Sequence, residues 1–299
     1  MSLPILSIVI PTYNESADIR ATLDAAYSVL DAQVEVIVID DASTDDTTSI
    51  VNEFSDKGIR LLQLSENRGV AAARNVGLNA SQGEIVVFLN ADAHLHPDFA
   101  AKIFQHYRAG ADYVVVEAAV ENDNYIYPRY VQLLHQHLYY DPRFVEWTEG
   151  YSCRRVAALA VGGFSEKFPG ASGEDVVFGE QMASSFQKAW EPEVLVTHVA
   201  PESLPAFWRQ RVSRGRGSAY LVFDHQGKPL SWLRMGRAWL ALVLQLGTLV
   251  PMLWKGCLLA RLSSRGWRDW LPMTWAHILD KCGWQVGFWH GFQELWQAR

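Results

Sequence analysis

Residues 34–47 read VEVIVIDDASTDDT, an apolar β-branched run that stops at two adjacent aspartates, Asp40 and Asp41, and a loop of small polar residues. Seven such residues bounded by turn formers read as a buried strand. The next segment, TTSIVNEFSDK (47–57), reads as a helix, and the same unit recurs on both sides. Before it stand the strand ILSIVIP (5–11) and the helix SADIRATLDAAYSVL (16–30); after it come IRLLQL (59–64), the alanine-rich helix GVAAARNVGLNAS (69–81) and the strand EIVVFLN (84–90). Alternation of this kind predicts a parallel sheet covered by helices. The polar clusters PTYNES, DDASTDD and NADAH all fall at carboxyl ends of strands, the edge where open α/β sheets bind ligands.

Further along, a helix is expected over 97–109, a strand over 112–120, a helix over CRRVAALAVGGF (153–164) ended by Gly162 and Gly163, and another over 172–187 with Glu174 and Asp175 near its start. The stretch 122–150 is aromatic and histidine-rich without a clear period, and there is no internal repeat.

A chain of 299 residues can form one large domain or a domain with an appendage. Cys153, Cys257 and Cys282 lie far apart without CxxC spacing, which argues against a disulfide framework and a cysteine-rich zinc site and fits a reducing compartment. The opening MSLPILSIVIPTYN has no basic segment before its apolar run, so no export signal is expected.

The net charge of −7 conceals an asymmetry. Residues 1–206 carry 13 Lys and Arg against 29 Asp and Glu, whereas 207–299 carry 13 against 4 and hold ten of the twelve tryptophans. The acidic part argues against nucleic acid as a partner. The basic, tryptophan-rich part suits a membrane interface, where anionic headgroups attract Lys and Arg and indoles settle at headgroup level. Its apolar run AWLALVLQLGTLVPMLW (238–254) is short for a span and is interrupted by Gln245, Thr248 and Pro251. Peripheral or monotopic docking on the cytoplasmic face is therefore expected, ahead of a transmembrane hairpin and of an ordinary core or dimer interface.

Acids gathered at adjacent strand ends repel unless a cation or a set of donors joins them. A nucleotide sugar with its divalent cation would account for Asp40, Asp41, Asp92, Glu174 and Asp175 together. One aspartate can accept from a base imide or ribose hydroxyls, a second can bind the cation on the diphosphate, and a third can deprotonate an attacking hydroxyl.

The motifs SIVIPTYNE (7–15), VIVIDDASTDDT (36–47), ENRGVAAARNVGL (66–78), EIVVFLNADAHLHPD (84–98), SCRRVAALAVGGF (152–164) and GEDVVFGEQM (173–182) follow one another over about the first two hundred residues. In that order the chain resembles the family 2 glycosyltransferases of GT-A fold, a Rossmann-like nucleotide-diphospho-sugar transferase architecture with a mostly parallel central sheet. The resemblance implies inverting transfer from a nucleoside diphosphate sugar, with Mg2+ or Mn2+ as cofactor. It places Pro11, Thr12, Tyr13 and Glu15 in the nucleoside pocket, Asp40 or Asp41 on the base, and Arg74 near the nucleotide. Asp92 takes the metal position of the family's DxD, with Asn90 where the first aspartate usually stands. Asp175, beside Glu174, is the general base. His198 is a metal or diphosphate contact. Arg211 and Arg214 are diphosphate ligands in QRVSRGR (210–216), where processive relatives carry QxxRW; the tryptophan is missing here.

The expectation is a GT-A catalytic domain over 1–206 and a mainly helical, basic, membrane-associating region over 207–299. The donor is expected to be a UDP-sugar, ahead of a GDP- or dTDP-sugar, and the acceptor a lipid-linked or other saccharide hydroxyl in polysaccharide or glycolipid synthesis. A nucleotidyltransferase or nucleotide-sugar hydrolase, or a non-catalytic nucleotide-sugar binding protein, are the alternatives. Each residue also has a plainer role: Asp40 and Asp41 as turn formers, Asp175 as a first-turn helix acid, Arg211 and Arg214 as a solvated or lipid-facing basic helix, and His198, His135 and His137 as structural histidines.

Overall fold

The computed structural model describes residues 5–29, 33–137, 149–169, 172–228 and 249–298. The chain forms two compact units. The first comprises Met1–Glu121, Pro142–Lys167 and Glu174–Val199; the second comprises Asn122–Asp141, Phe168–Gly173 and Ala200–Arg299. The charge-defined tail thus shares its unit with two stretches from earlier in the chain.

In the first unit, strands β1 (Leu6–Thr12), β2 (Val34–Asp40), β3 (Ile59–Gln63) and β4 (Ile85–Phe88) run parallel, as the alternation predicts. Helices α1 (Ile19–Ser28), α2 (Thr47–Asn52) and α3 (Val70–Ala80) link them. Ile8 and Val38 face the layer of α1 and of α4 (Phe99–Arg108), while Val9 and Ile37 face the layer containing α3. Burial on both faces explains why these strands read as continuous apolar runs.

The sheet continues as β7 (Tyr151–Arg154), β6 (Tyr113–Val120), β8 (Lys188–His198) and β5 (Ala93–Leu95), in the full order β3-β2-β1-β4-β7-β6-β8-β5. Here the structure departs from the sequence reading. The segment expected as a helix from 153 begins as a strand, because Cys153 pairs antiparallel with Val86 on one side and Tyr113 on the other. Only Arg155–Ala160 (α6) is helical. The helix expected over 172–187 is α7 (Glu174–Ser185). Strand β8 is unassigned by the sequence reading, since Pro192 and the two glutamates that flank it, Glu191 and Glu193, interrupt its apolar pattern. The register between β6 and β8 jumps from Val116↔Glu191 to Glu117↔Val194, so Pro192 sits at a bulge that needs no ladder donor.

The second unit contains α5 (Ile126–His137), within the stretch that has no clear period, together with α8 (Leu204–Tyr220), a π-helical turn Leu221–His225, α9 (Leu249–Leu262), a 3-10 turn Gly266–Asp269, and α10 (Trp270–Gln297). Ser203 caps α8, its hydroxyl accepting from the Ala206 amide at 3.4 Å, with a proline following in the first turn. Helices α8 and α10 approach so closely that a Cβ on Gly215 would lie 1.8 Å from the Trp284 carbonyl oxygen, and one on Gly287 1.8 Å from that of Val212. Around this crossing Arg211 pairs with Asp280 at 3.2 Å, Arg216 with Glu294 at 2.9 Å, and Tyr130 Oη meets His277 Nδ1 at 2.8 Å. Among the described residues no helix is long and apolar enough to cross a membrane. Most of the apolar run 238–254 lies outside the described residues.

Candidate active site

The site is built at the carboxyl ends of β1, β2 and β4. Thr12 is level with Asp40 in the β1–β2 register, and the Asp41 amide donates to the Thr12 carbonyl at 2.9 Å. The two loops that follow are latched together. Asn14 N donates to Ser43 Oγ at 2.9 Å, Thr44 N to Asn14 Oδ1 at 2.8 Å, and Glu15 N to Thr47 Oγ1 at 2.9 Å. Asn14 and Ala42 both hold left-handed backbone, φ 57° and 64°. Such strain concentrates where a fold shapes a binding loop.

Asp40 and Asp41 are both buried but differ in their partners. Asp41 accepts the Arg68 and Gly69 amides, each at 2.7 Å, one on each carboxylate oxygen. It thereby anchors the turn that starts α3, where Gly69 has φ 89°. Among the described residues Asp40 accepts the Ser43 amide alone, at 3.2 and 3.4 Å to its two oxygens. Both keep lone pairs for a further donor. Pro11 is buried, Tyr13 is exposed, and the buried Thr12 hydroxyl has no hydrogen-bond partner among the described residues.

Arg74 joins two of the sequence motifs. From α3 its Nη1 donates to Glu174 Oε1 at 2.9 Å, and its Nη2 to Asn90 Oδ1 at 3.0 Å. Its guanidinium also lies 5.2 Å from the centre of the Phe164 ring. Asn90, standing where the DxD pattern has its first acid, is therefore a hydrogen-bond acceptor for a cation. Asn90 Nδ2 in turn reaches Glu149 Oε1 at 3.5 Å. Burial and the adjacent Asp175 raise the Glu174 carboxyl above its ordinary range, against the opposing pull of Arg74. Asp175 itself is half-buried in the first turn of α7, accepting the Val176 amide at 2.8 Å.

Asp92 and His198 meet across the β5–β8 ladder. Ala93 is opposite His198, and the Val199 amide donates to the Asp92 carbonyl at 3.0 Å. Burial is the main influence on the Asp92 carboxyl and raises it; His198 lowers it and Glu149 raises it. Glu15 is raised to about 7, first by burial and then by Asp92, Asp18 and Asp45. Burial and mutual repulsion of the acids at this edge are costs that a divalent cation placed among them would relieve. The donor set supports Mg2+ or Mn2+ in part. Asp92 offers a hard carboxylate and His198 an imidazole, but no three His, Cys, Asp or Glu side chains among the described residues form a ready-made cage. The remaining ligands would come from a diphosphate and water.

In the second unit, Arg211 is buried, with Nη1 on Asp280 at 3.2 Å and Nη2 on Gln210. Burial, then Arg214, lowers its pKa to about 10. As placed, the Arg211 guanidinium serves the packing of α8 on α10; Arg214 is half-buried. Two site-edge acids escape the sequence reading. Glu149 lies in the stretch without a period, and its one signal is the glycine after it: Gly150, φ 76°, turns the chain so that its amide reaches the Phe88 carbonyl at 3.1 Å. Glu121 holds His94 Nδ1 at 2.7 Å, leaving the buried Nε2 without a partner among the described residues.

Comparison with known proteins bears on the family and the fold. Residues 7–158 match the model of Glycosyl transferase family 2. An uncharacterized glycosyltransferase of Haemophilus influenzae is 35% identical over 100 residues, 33% of this chain and 40% of its own length. The UDP-Glc:alpha-D-GlcNAc-diphosphoundecaprenol beta-1,3-glucosyltransferase WfaP of Escherichia coli is 38% identical over 88 residues, 29% of this chain and 35% of its own length. The matched segments thus span well under two thirds of these curated relatives. Among solved structures, the mannosyltransferase PcManGT of Pyrobaculum calidifontis, in complex with GDP-Man and Mn2+, superposes with a TM-score of 0.65 at 21% identity, covering 97% of this chain and 88% of that one. TarS 1-349 of S. aureus, in complex with UDP-GlcNAc, superposes with a TM-score of 0.58 at 17% identity, covering 97% and 92%. With the family model matched over half its length and this fold in common, the chain belongs to Glycosyl transferase family 2 and has the GT-A architecture.

Proposed function

We propose that this protein is an inverting glycosyltransferase that moves one sugar from a nucleoside diphosphate sugar, a UDP-sugar in the first instance, to a hydroxyl of a saccharide or lipid-linked acceptor. The observation that carries the reading is the double contact of Arg74. One guanidinium ties Glu174, beside the proposed base Asp175, to Asn90, two residues before the proposed metal ligand Asp92.

In this reading the loops 12–15 and 40–44 receive the nucleoside, with Thr12 Oγ1 and Asp40 or Asp41 offering hydrogen bonds. A divalent cation held by Asp92 and His198 would neutralise the diphosphate and favour its departure. Asp175 takes the proton of the acceptor hydroxyl as that oxygen forms its bond to the anomeric carbon and the bond to the diphosphate oxygen breaks. A single displacement inverts the configuration. Arg74 fixes Glu174 and Asn90 and so holds the base and metal motifs in one frame. Arg214 remains a candidate diphosphate ligand, and Arg211 acts through packing. The basic second unit is read as the peripheral, cytoplasm-facing membrane attachment; the WfaP relative, whose name specifies a diphosphoundecaprenol-linked acceptor, supports a membrane-borne acceptor.

The test is a screen of nucleotide-sugar donors for binding and slow hydrolysis with and without Mn2+, followed by product analysis with acceptors. Release of nucleoside diphosphate with a new glycosidic bond supports the reading; formation or consumption of pyrophosphate would make the protein a nucleotidyltransferase. Asp175→Asn is expected to lower kcat by about 100-fold to 10,000-fold while donor binding persists. Unchanged turnover in that variant removes Asp175 from the role of base.

A further inference from the structure

We propose that the second unit carries a docking site for anionic lipid headgroups, a pocket lined by Arg129, Arg265, Arg268 and Asp269 with Ile126 and Pro272 at its apolar wall, beside which Trp267 and Leu271 enter the bilayer interface. This deepens the peripheral-membrane part of the proposed function and rests on it; sugar transfer is not required for it.

The charges in the pocket are unequal. Asp269 is buried and already satisfied: it accepts from Arg129 Nε at 2.8 Å, from Arg129 Nη2 at 3.1 Å and from the Ser263 hydroxyl. The third arm of Arg129, Nη1, donates to the carbonyls of Asp123 at 2.8 Å and Asn124 at 3.0 Å. That pair is internally neutral and fastens the 3-10 turn Gly266–Asp269 to the start of α5. Arg265 and Arg268 are left over. Both are exposed, and among the described residues neither forms an ion pair with a carboxylate. Among the described residues the Arg265 side chain makes one long bond, from Nη2 to the Asn124 carbonyl at 3.4 Å, while its backbone amide donates to Ser263 Oγ at 3.2 Å. Two uncompensated guanidinium groups therefore line one pocket, and phosphate is the anion whose geometry their planar donors match.

The apolar residues beside the pocket point to a lipid phosphate. Trp267 is 61% exposed and Leu271 67%, and Trp270 and Trp275 are also exposed. Spaced three, four and eight positions from Trp267, Trp270, Leu271 and Trp275 fall along one side of the turn and the first part of α10. The Arg261 guanidinium lies 5.3 Å from the Trp267 ring centre. A solvated surface does not gather large apolar side chains around unpaired arginines, whereas a bilayer interface takes both: indole and leucine at the acyl boundary, guanidinium at the phosphate.

The test uses the full chain with phosphatidylcholine vesicles, with and without phosphatidylglycerol, across a salt series. Wild type is expected to bind the phosphatidylglycerol vesicles and to release with salt. Combining Arg265→Gln and Arg268→Gln lowers partitioning by about tenfold or more. Combining Trp267→Ser and Leu271→Ser removes the salt-resistant remainder. A charge-matched control on the first unit, Arg108→Gln with Lys167→Gln, binds as wild type, and nucleotide-donor binding in every variant reports an intact first unit. If wild type binds but the pocket variants bind equally well, membrane attachment stands and this pocket is not its site. Equal binding of wild type to both kinds of vesicle overturns headgroup recognition, and no binding to either overturns the site and the membrane reading together. A change of molar mass by light scattering in the pocket variants, with vesicle binding unaltered, assigns the face to a second copy of the chain instead.

Discussion

Arg74 Nη1 lies 2.9 Å from Glu174 Oε1, with both side chains 3% exposed and the two residues 100 positions apart in the chain. The pair is the buried joint of the candidate site. Removing one partner strands the other without compensation. Arg74→Met is expected to cost about 3 kcal/mol in denaturant unfolding at pH 8. The loss shrinks as the pH is lowered. Without the guanidinium the folded-state pKa of Glu174 rises further above its unfolded value, so stability is retained below the unfolded pKa and lost as pH rises through the folded one. A loss that grows towards acid pH contradicts this account.

Glu15 makes the same argument in the wild-type chain. Its folded pKa, about 7, lies above the model-peptide value of 4.5, so the folded state binds the proton more tightly. The resulting stability is fully present below about pH 4.5 and is lost as the pH rises through about 7. In metal-free buffer, Glu15→Gln is expected to gain on wild type between pH 5 and 8, by roughly 1 kcal/mol once solvent screening of this partly exposed group is allowed for. Melting temperatures of the two proteins across that range check it; parallel curves count against it.

Metal binding is expected to be weak without nucleotide and to strengthen with it, because Asp92 and His198 are too few to saturate a divalent cation. Calorimetric titration of Mn2+ with and without UDP measures the difference. Asp92→Asn should weaken binding in the presence of nucleotide by about tenfold or more. In wild type, affinity should rise with pH through the raised titration range of Asp92, since the proton competes for the same carboxylate. Equally tight binding by the free protein would require ligands beyond these two.

The crossing of α8 and α10 tolerates no side chain at its closest points. Gly287→Ala puts a methyl 1.8 Å from the Val212 carbonyl oxygen, a contact with backbone that only separation of the helices relieves. The expected cost is about 2 kcal/mol or more by thermal unfolding, with nucleotide-donor binding by the first unit as the readout that separates local from global damage.

Much of the first unit is legible without coordinates because its signals are local. Continuous β-branched runs mark strands buried on both faces, and each ends in the polar loop that forms the ligand edge. Where local pattern and tertiary pairing compete, pairing prevails. Cys153 lies in a strand because two neighbours offer it ladders, and Lys188–His198 pairs with β6 despite Pro192, which the bulge accommodates.

The sequence by itself determined the order of the motifs, the parallel half of the sheet and the acidic edge, since each depends on residues adjacent in the chain. Only the tertiary structure decided which of those residues meet. It joined Arg74 to both Glu174 and Asn90, set His198 beside Asp92, drew Glu149 into the network, and buried Arg211 against Asp280. Those contacts bring together residues far apart in sequence, and their energies come from burial and from pairing of charge, which periodicity along a single chain does not encode.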